Sequence, residues 1–468
     1  MHTTCRRSQA QTKKPAVKRT SDQHASRFGG TSRRDFLKFA AAACAGGAIT
    51  LPASTLRAQQ REGPPRVAAI FTSFTYRSHA HVILENFLLP YLFNGQRTEP
   101  GVEVVSFYAD QLPDGDMSRD IARQFDIPMY GTIAEALTLG GDKLAVDAVL
   151  SIGEHGDYPV NDLGQREYPR KRFFDEIVAV MRESGRFVPL FNDKHLSYRW
   201  DWSKEMYDQT QQLGIPFMAG SSVPLAERRP PLELPPEAKI TDAVSIHGGP
   251  LESYDFHGLE VLQSMVEDRQ GGESGVSEIE FLAGDALMKA ADEGRWSIEL
   301  AKAAMAAELG SPPDSLWQVP GESRVEPHGI LITYKDGFKA TMLKVGASGI
   351  RWNFACRIQG EDAPRATHFH VGPWDNRNLF KALSHAIQHH FTGGRAPYPA
   401  ERTLLTTGAL EAAMRARVRE GGKLETPHLE IAYRPRDFRA MREMGATWDI
   451  ITDEVPQPRG IEPVGLEL

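Results

Sequence analysis

The sequence predicts an α/β protein: a doubly wound parallel sheet in residues 64–225, then an α+β domain with an open, mostly antiparallel sheet in 237–468. Three observations lead there. Apolar strand-like runs alternate with helical periodicity from Arg66 to Ser222, which is the pattern of repeated β-α-β units. A proline-rich break, R-R-P-P-L-E-L-P-P (Arg228 to Pro236), interrupts it. Beyond the break the runs are longer and hairpin-like, as in G-I-L-I-T-Y-K-D-G-F-K-A-T-M-L-K-V (Gly329 to Val345), where Asp336-Gly337 supplies the turn.

In the first part, R-V-A-A-I-F (Arg66 to Phe71) reads as a strand, His81 to Phe93 as a helix, and V-E-V-V-S-F-Y-A-D (Val102 to Asp110) as a strand ending in an acid. Helices follow at Met117 to Phe125 and Ile133 to Leu139, then the strand V-D-A-V-L-S-I-G-E-H (Val146 to His155). Phe173 to Glu183 is helical, Arg186 begins an apolar run ending at Asp193-Lys194-His195, and Trp202 to Leu213 and Ile215 to Ser222 add one more helix and strand. In the second part, the strand Ile240 to His247 leads into a helix, Phe256 to Arg269, and Ile350 to Ile358 and Ala366 to Val371 continue the sheet.

Residues 1–58 read as an export signal. Paired arginines in T-S-R-R-D-F-L-K (Thr31 to Lys38) precede a short apolar run rich in small residues and an L-R-A cleavage site (Leu56 to Ala58). The twin-arginine translocase is the partner this implies, with a periplasmic or other extracytoplasmic destination and no stable membrane insertion. Cleavage takes away 11 of the 54 Lys+Arg and 2 of the 61 Asp+Glu, moving the formal net charge from −7 to −16. So acidic a chain argues against nucleic acid as a partner. Cys356 is the one cysteine left, so no internal disulfide forms.

Charged groups at the carboxyl ends of parallel strands are where open α/β sheets bind ligands. Lys194 sits at such an end, where an ammonium is costly to desolvate unless paired. It can bond a reacting hydroxyl or carbonyl, or pair with Asp193 or Glu154 to join strand ends. Glu154 and His155, in E-H-G-D-Y-P (Glu154 to Pro159), belong to a loop at the same edge. His257 opens a helix with Glu260 on its face one turn on, so Glu260 is expected to orient an imidazole suited to proton transfer. Asp110 can accept from a ribose hydroxyl. His155, His195, His247 and His257, with Asp157, Asp193 and Glu260, offer ligands for a divalent metal, and His368 and His370 face one side of a strand. The alternative for that pair is polar lining of the sheet. Trp200, Trp202, Trp352 and Trp374 are candidates for stacking on sugar faces.

The order of these pieces resembles the glucose-fructose oxidoreductase / inositol dehydrogenase (Gfo/Idh/MocA) family, over most of the chain after the signal. The resemblance implies a Rossmann-type dinucleotide-binding domain, a substrate and oligomerisation domain, and a tightly held NAD or NADP acting on a sugar, polyol or glycoside. It implies that Lys194 lies near nicotinamide and substrate, matching the lysine of a Glu-Lys-Pro signature that here reads Asp193-Lys194-His195. His257 matches the family's helix-opening histidine, with Ser253 in place of the acid four residues earlier. Glu154 and His155 would pass the nicotinamide and its ribose. Phe71, Ser73 and Tyr76 occupy the places of the three glycines of G-x-G-x-x-G. Either Thr72, Ser73 and Phe74 form a reshaped turn, with Thr72, Ser73, Thr75 and Arg77 on the phosphates, or the dinucleotide site is lost. In the second case the same scaffold would serve a metal-assisted lyase, isomerase or hydrolase, or a non-catalytic carbohydrate-binding protein.

Overall fold

The computed structural model describes residues 63–463 except 317, 456 and 457. The signal read at 1–58 lies outside the described residues. In chain order the elements are β1 (Arg66–Phe71), α1 (His79–Leu88), β2 (Tyr91–Phe93), β3 (Gln96–Thr98), β4 (Glu103–Ala109), α2 (Ser118–Gln124), α3 (Ile133–Thr138), β5 (Ala148–Ile152), α4 (Arg170–Ser184), β6 (Leu190–Asp193), α5 (Trp200–Leu213), β7 (Phe217–Gly220), β8 (Glu227–Arg229) and β9 (Ile240–His247). They continue with α6 (Ser253–Val266), β10 (Val276–Ala283), α7 (Gly284–Asp292), α8 (Ile298–Leu309), β11 (His328–Tyr334), β12 (Lys339–Lys344), β13 (Trp352–Ile358), β14 (Arg365–His370), α9 (Asn376–Gly393), α10 (Ala400–Arg417) and β15 (Lys423–Glu425).

The first sheet is parallel throughout, in the order β4-β1-β5-β6-β7. Successive residues of β1 feed opposite cores: Val67, Ala69 and Phe71 pack with α1, while Ala68 and Ile70 pack with α3 and α4. A strand covered on both faces has no polar side to present, which is why it reads as an unbroken apolar run. Because β1 lies between β4 and β5, the direction of winding reverses there, and the crevice outside those strand ends is the natural ligand position. Helix α1 stops at Leu88 and does not run to Phe93. Leu89 precedes Pro90 and is extended (φ −129, ψ 151), as the proline ring demands of the residue before it, and Tyr91–Phe93 pairs with Gln96–Thr98 as a hairpin.

The second sheet has eight strands in the order β15-β10-β11-β12-β9-β13-β14-β8, antiparallel except for the β12-β9 pair. The hairpin at Asp336-Gly337 forms as expected, with Gly337 at φ 87 and the Asp336 carboxylate accepting from Phe338 N at 3.0 Å. Helices α6 and α10 pack on one face. Helix α8 covers the middle of the other, laying Leu300, Ala301, Ala304 and Met305 on Val244, Ile246, Leu343 and Ala355. The sheet expected to be open in this oligomerisation domain is therefore partly covered by the chain itself. The proline-rich break contributes β8 to this sheet, paired with β14. Helix α9, though late in the sequence, joins the first core through Phe380, Leu383, Ala386 and Ile387, so the segment 237–468 contributes to the core of both sheets.

Candidate active site

Strand β6 delivers its last residue, Asp193, to the sheet rim, and Lys194 then turns the chain at φ 63 while its N–H bonds Gly220 O at 3.0 Å. The Lys194 ammonium is 4 % exposed and donates to Glu154 Oε1 at 2.9 Å and Ser253 O at 3.4 Å. The other Glu154 oxygen accepts from Arg170 Nη2, and Arg170 Nη1 meets His195 Nε2 at 2.7 Å. Burial alone would raise the Glu154 carboxyl, but Lys194 and Arg170 outweigh it and hold it well below the usual carboxylate range. Burial, helped by Arg170, keeps His195 neutral. The rim is thus one buried carboxylate shared by a lysine and an arginine, a trio with an excess of one positive charge.

His79, at the start of α1, places Nδ1 2.6 Å from Asp193 Oδ2 and its ring 5.1 Å from that of His155. From the second sheet's side, α6 presents His257 in its first turn. Its ring lies edge-on to Trp352 (5.3 Å, 77°) and Tyr254 (5.9 Å, 87°), and among the described residues its Nδ1 has no hydrogen-bond partner. Burial and then the Lys194 charge lower its pKa well below the ordinary value, so the ring is neutral. Lys194, Glu154, His155, His79, His257 and Trp352 all line one cavity of about 670 Å³.

Backbone strain marks the same place. Nine non-glycine residues among those described have positive φ, and five of them, Arg77, His155, Lys194, Glu252 and Asp375, line this cavity. Such conformations cost about 1–3 kcal/mol each and gather where function holds them. Glu252 is the residue that sequence reasoning missed most plainly. It caps α6 at φ 65 and ψ −67, its Oε1 lies 3.7 Å from His195 Nε2 without a hydrogen bond, and burial followed by the Glu154 charge pushes its carboxyl up to about 7. A group with that value can give or take a proton near neutrality. Its only sequence signal was an acid placed as the N-cap of a helix.

Several expected site residues are elsewhere or already engaged. Glu260 does not orient His257: Oε2 accepts from Ser221 N at 2.7 Å and Oε1 lies 3.1 Å from Thr403 Oγ1. The buried Ser221 N–H just past β7 claims the carboxylate first. Asp110 accepts from Tyr108, Tyr158 and Arg172, so its oxygens are taken up by the chain's own donors. Thr72, Ser73 and Phe74 are fully buried. Thr72 Oγ1 donates to Glu154 O, Thr72 N bonds Ile152 O at 3.2 Å, and Phe74 N bonds Asp116 Oδ2 at 2.7 Å. The turn after β1 is stitched to its neighbours and offers no open cradle. The helix end behind it is capped by Ser78, whose side chain accepts from His81 N. Of the residues read there, Arg77 does line the cavity, with Nη1 3.0 Å from Asp375 Oδ2.

The expected metal ligands His155, His195, His257, Asp157, Asp193 and Glu260 do not converge, and Asp157 is exposed. Among the described residues the one converging group joins His247 to Asp255 and His328. His368 and His370 share a face, ring centres 6.0 Å apart, but His368 Nδ1 is bonded to Ala307 O and neither lines the cavity. Of the four tryptophans, Trp352 alone lines it.

The His155 imidazole is pushed down to about 4 by burial and the neighbouring His79. The unfolded chain binds a proton there near pH 6.5 and the folded chain does not, so stability is fully present above about 6.5 and lost as pH falls toward 4. The loss reaches about 3 kcal/mol. Urea unfolding at pH 7 and pH 4.5 should show a smaller acid loss in His155→Gln than in the wild-type chain; an unchanged loss would remove His155 as its source.

Comparison with known proteins bears on the signal. The model of the TAT (twin-arginine translocation) pathway signal sequence matches residues 30–50, so the chain carries a signal for export from the cytoplasm. Among the described residues no helix is long and apolar enough to cross a membrane. No curated protein sequence matches the chain. Similar solved structures include GenD2 from gentamicin A biosynthesis in complex with NAD (12% identity, TM-score 0.49, 78% of this chain and 96% of that one). Others are a myo-inositol dehydrogenase from Corynebacterium glutamicum (11%, 0.47, 77% and 98%) and an apo scyllo-inositol dehydrogenase from Lactobacillus casei (8%, 0.46, 78% and 98%). The class that the chain's own geometry defines is a two-sheet α/β protein with a Rossmann-type parallel sheet and a mixed, mostly antiparallel partner.

Proposed function

We propose that this chain is an exported, extracytoplasmic oxidoreductase that moves hydride between a carbinol of a sugar, polyol or glycoside and a tightly held nicotinamide dinucleotide, NAD or NADP. The observation that carries the reading is a desolvated ammonium from the parallel sheet's carboxyl rim and an imidazole from α6, its Nδ1 unclaimed among the described residues, brought to one cavity. Lys194, fixed by Glu154, donates to the substrate oxygen and stabilises the alkoxide that forms as its proton leaves. His257, neutral and with a nitrogen unclaimed, takes that proton in oxidation and returns it in reduction. Tyr254 and Trp352, stacked at 5.0 Å and 15°, form the apolar wall on which a sugar ring rests.

The residues present fit the reacting end of a dinucleotide better than its diphosphate. Glu154, His155 and Lys194 are at the switch-point rim, where a bound nicotinamide would accept or supply hydride. The turn at Thr72, Ser73 and Phe74 is closed, so the diphosphate falls to Arg77 and Arg166 at the cavity wall. Without a free dinucleotide supply outside the cytoplasm, the reading requires retention of the cofactor and its recycling on a second substrate. The test is to denature the purified mature protein and assay the supernatant for nicotinamide dinucleotide. About one per chain is expected; none, together with no binding of added NAD or NADP by the folded chain, overturns the reading.

A further inference from the structure

We propose that His247, Asp255 and His328 bind one divalent first-row transition cation of the zinc, manganese or iron(II) kind, behind the aromatic wall of the cavity. The three come from separate elements: His247 ends β9, Asp255 lies in the first turn of α6 and His328 begins β11. Through Lys344 of the intervening β12 the two histidines stand in one row across the sheet, so they project from the same face. Their Nε2 atoms approach the same carboxylate oxygen, Asp255 Oδ1, at 2.8 and 2.7 Å. All three donor atoms lie within 4.8 Å of one another, and all three residues are buried.

Two imidazoles and a carboxylate are a donor set suited to such cations. At metal–ligand lengths of about 2.0–2.2 Å tetrahedral donors stand roughly 3.3–3.6 Å apart, so seating the ion asks each imidazole to draw back from Asp255 Oδ1 by somewhat over half an ångström. Among the described residues no arginine or lysine forms an ion pair with Asp255, and the Lys344 ammonium is turned to Gly346 O at 2.8 Å. The surroundings hold the ligands in place. Phe281 stacks on His328 (5.1 Å, 25°), Trp352 on His247 (6.2 Å, 26°), and the second oxygen of Asp255 accepts from Glu252 N at 2.8 Å. Supporting contacts of this kind orient metal ligands elsewhere. Gly258 leaves space for both Met342 and His247, since a Cβ there would stand 2.9 Å from Met342 Cγ and 3.2 Å from the His247 ring. An entry path exists as well, for His328 lines a shallow outer cavity of about 520 Å³ with Glu326 and Lys344. The ion ties β9 and β11 to the turn of α6 that carries Tyr254 and His257, so it acts on the cavity by holding its wall.

The experiment is metal analysis of the mature chain, purified without a histidine tag or chelator, with dinucleotide measured on the same sample so that this proposal and the oxidoreductase reading fail separately. Near one equivalent of a divalent transition metal is expected, falling at least fivefold in His328→Gln, a change that keeps the Asp255 cap of α6. Chelation should lower the melting temperature of the wild-type chain by several degrees, and zinc or manganese should restore it. A chain isolated empty that takes up cobalt(II) with visible absorption bands, absent in His328→Gln, supports the site equally. Overturning it would be a wild-type chain that carries no metal, binds none of zinc, manganese, iron(II) or cobalt(II), and melts identically with and without chelator.

Discussion

Lys194→Met is expected to lower kcat by about 10²–10⁴-fold on whichever sugar or polyol the wild-type chain turns over, with the fold intact. The ammonium is desolvated, so its hydrogen bond to a developing alkoxide acts in a medium of low dielectric, where fixed charges are worth far more than in water. Arg170 does not replace it, being committed to Glu154 and His195 behind it. The fold survives because Glu154 keeps Arg170, so no buried carboxylate is left unpaired. Methionine keeps the stem of lysine and removes the charge alone. Lys194→Arg should not rescue turnover, since the guanidinium fork is longer and planar and cannot reach the same point at φ 63. Steady-state kinetics and a melting curve check the result together. A variant that turns over at the wild-type rate removes Lys194 from the mechanism, whereas one that fails to fold would mean the lysine joins strand ends.

The parallel sheet was legible because strands buried on both faces leave an apolar record, as in Val67 to Phe71. The rim was legible for the same reason, since an abrupt change from L-F-N to D-K-H marks where burial ends. What the sequence hid were partnerships decided by the third dimension. Glu260 and His257 are one helical turn apart, so pattern alone pairs them, yet a backbone N–H at Ser221, far away in sequence, claims the carboxylate. Asp110 ends a strand as expected, but Tyr158 and Arg172 arrive from later segments to occupy it. Glu252 could not be recognised without its backbone angles, because an acid before a helix is ordinary until it is forced to φ 65 beside a second carboxylate. Asp255 and His328 are 73 residues apart and meet only because β11 runs two strands from β9.

Arg170→Leu is expected to cost the folded chain more than Lys194→Met, up to the roughly 3–5 kcal/mol of a broken buried ion pair, because it removes one cation from Glu154, the contact to His195 and a fully buried stem together. Arg170 is 0 % exposed and opens α4 beneath the loop that carries Glu154. Its guanidinium bridges the carboxylate and the neutral His195, so its loss leaves Glu154 with Lys194 alone and His195 Nε2 without a donor. Gly153 shows how closely the arginine stem packs, since a Cβ there would come within 2.6 Å of Arg170 Cγ. Leucine fills part of that stem and supplies no charge, so the penalty is electrostatic more than steric. The loss of an opposing cation raises the Glu154 carboxyl, and the destabilisation should therefore shrink as pH falls and Glu154 takes a proton. In Arg170→Leu,Glu154→Gln the Lys194 ammonium is left as the unpaired buried charge, so the double variant should be no more stable than Arg170→Leu alone. Urea unfolding of the two single variants and the double one reads it directly, and a double variant clearly more stable than Arg170→Leu would mean that Lys194 does not depend on Glu154 for its charge partner.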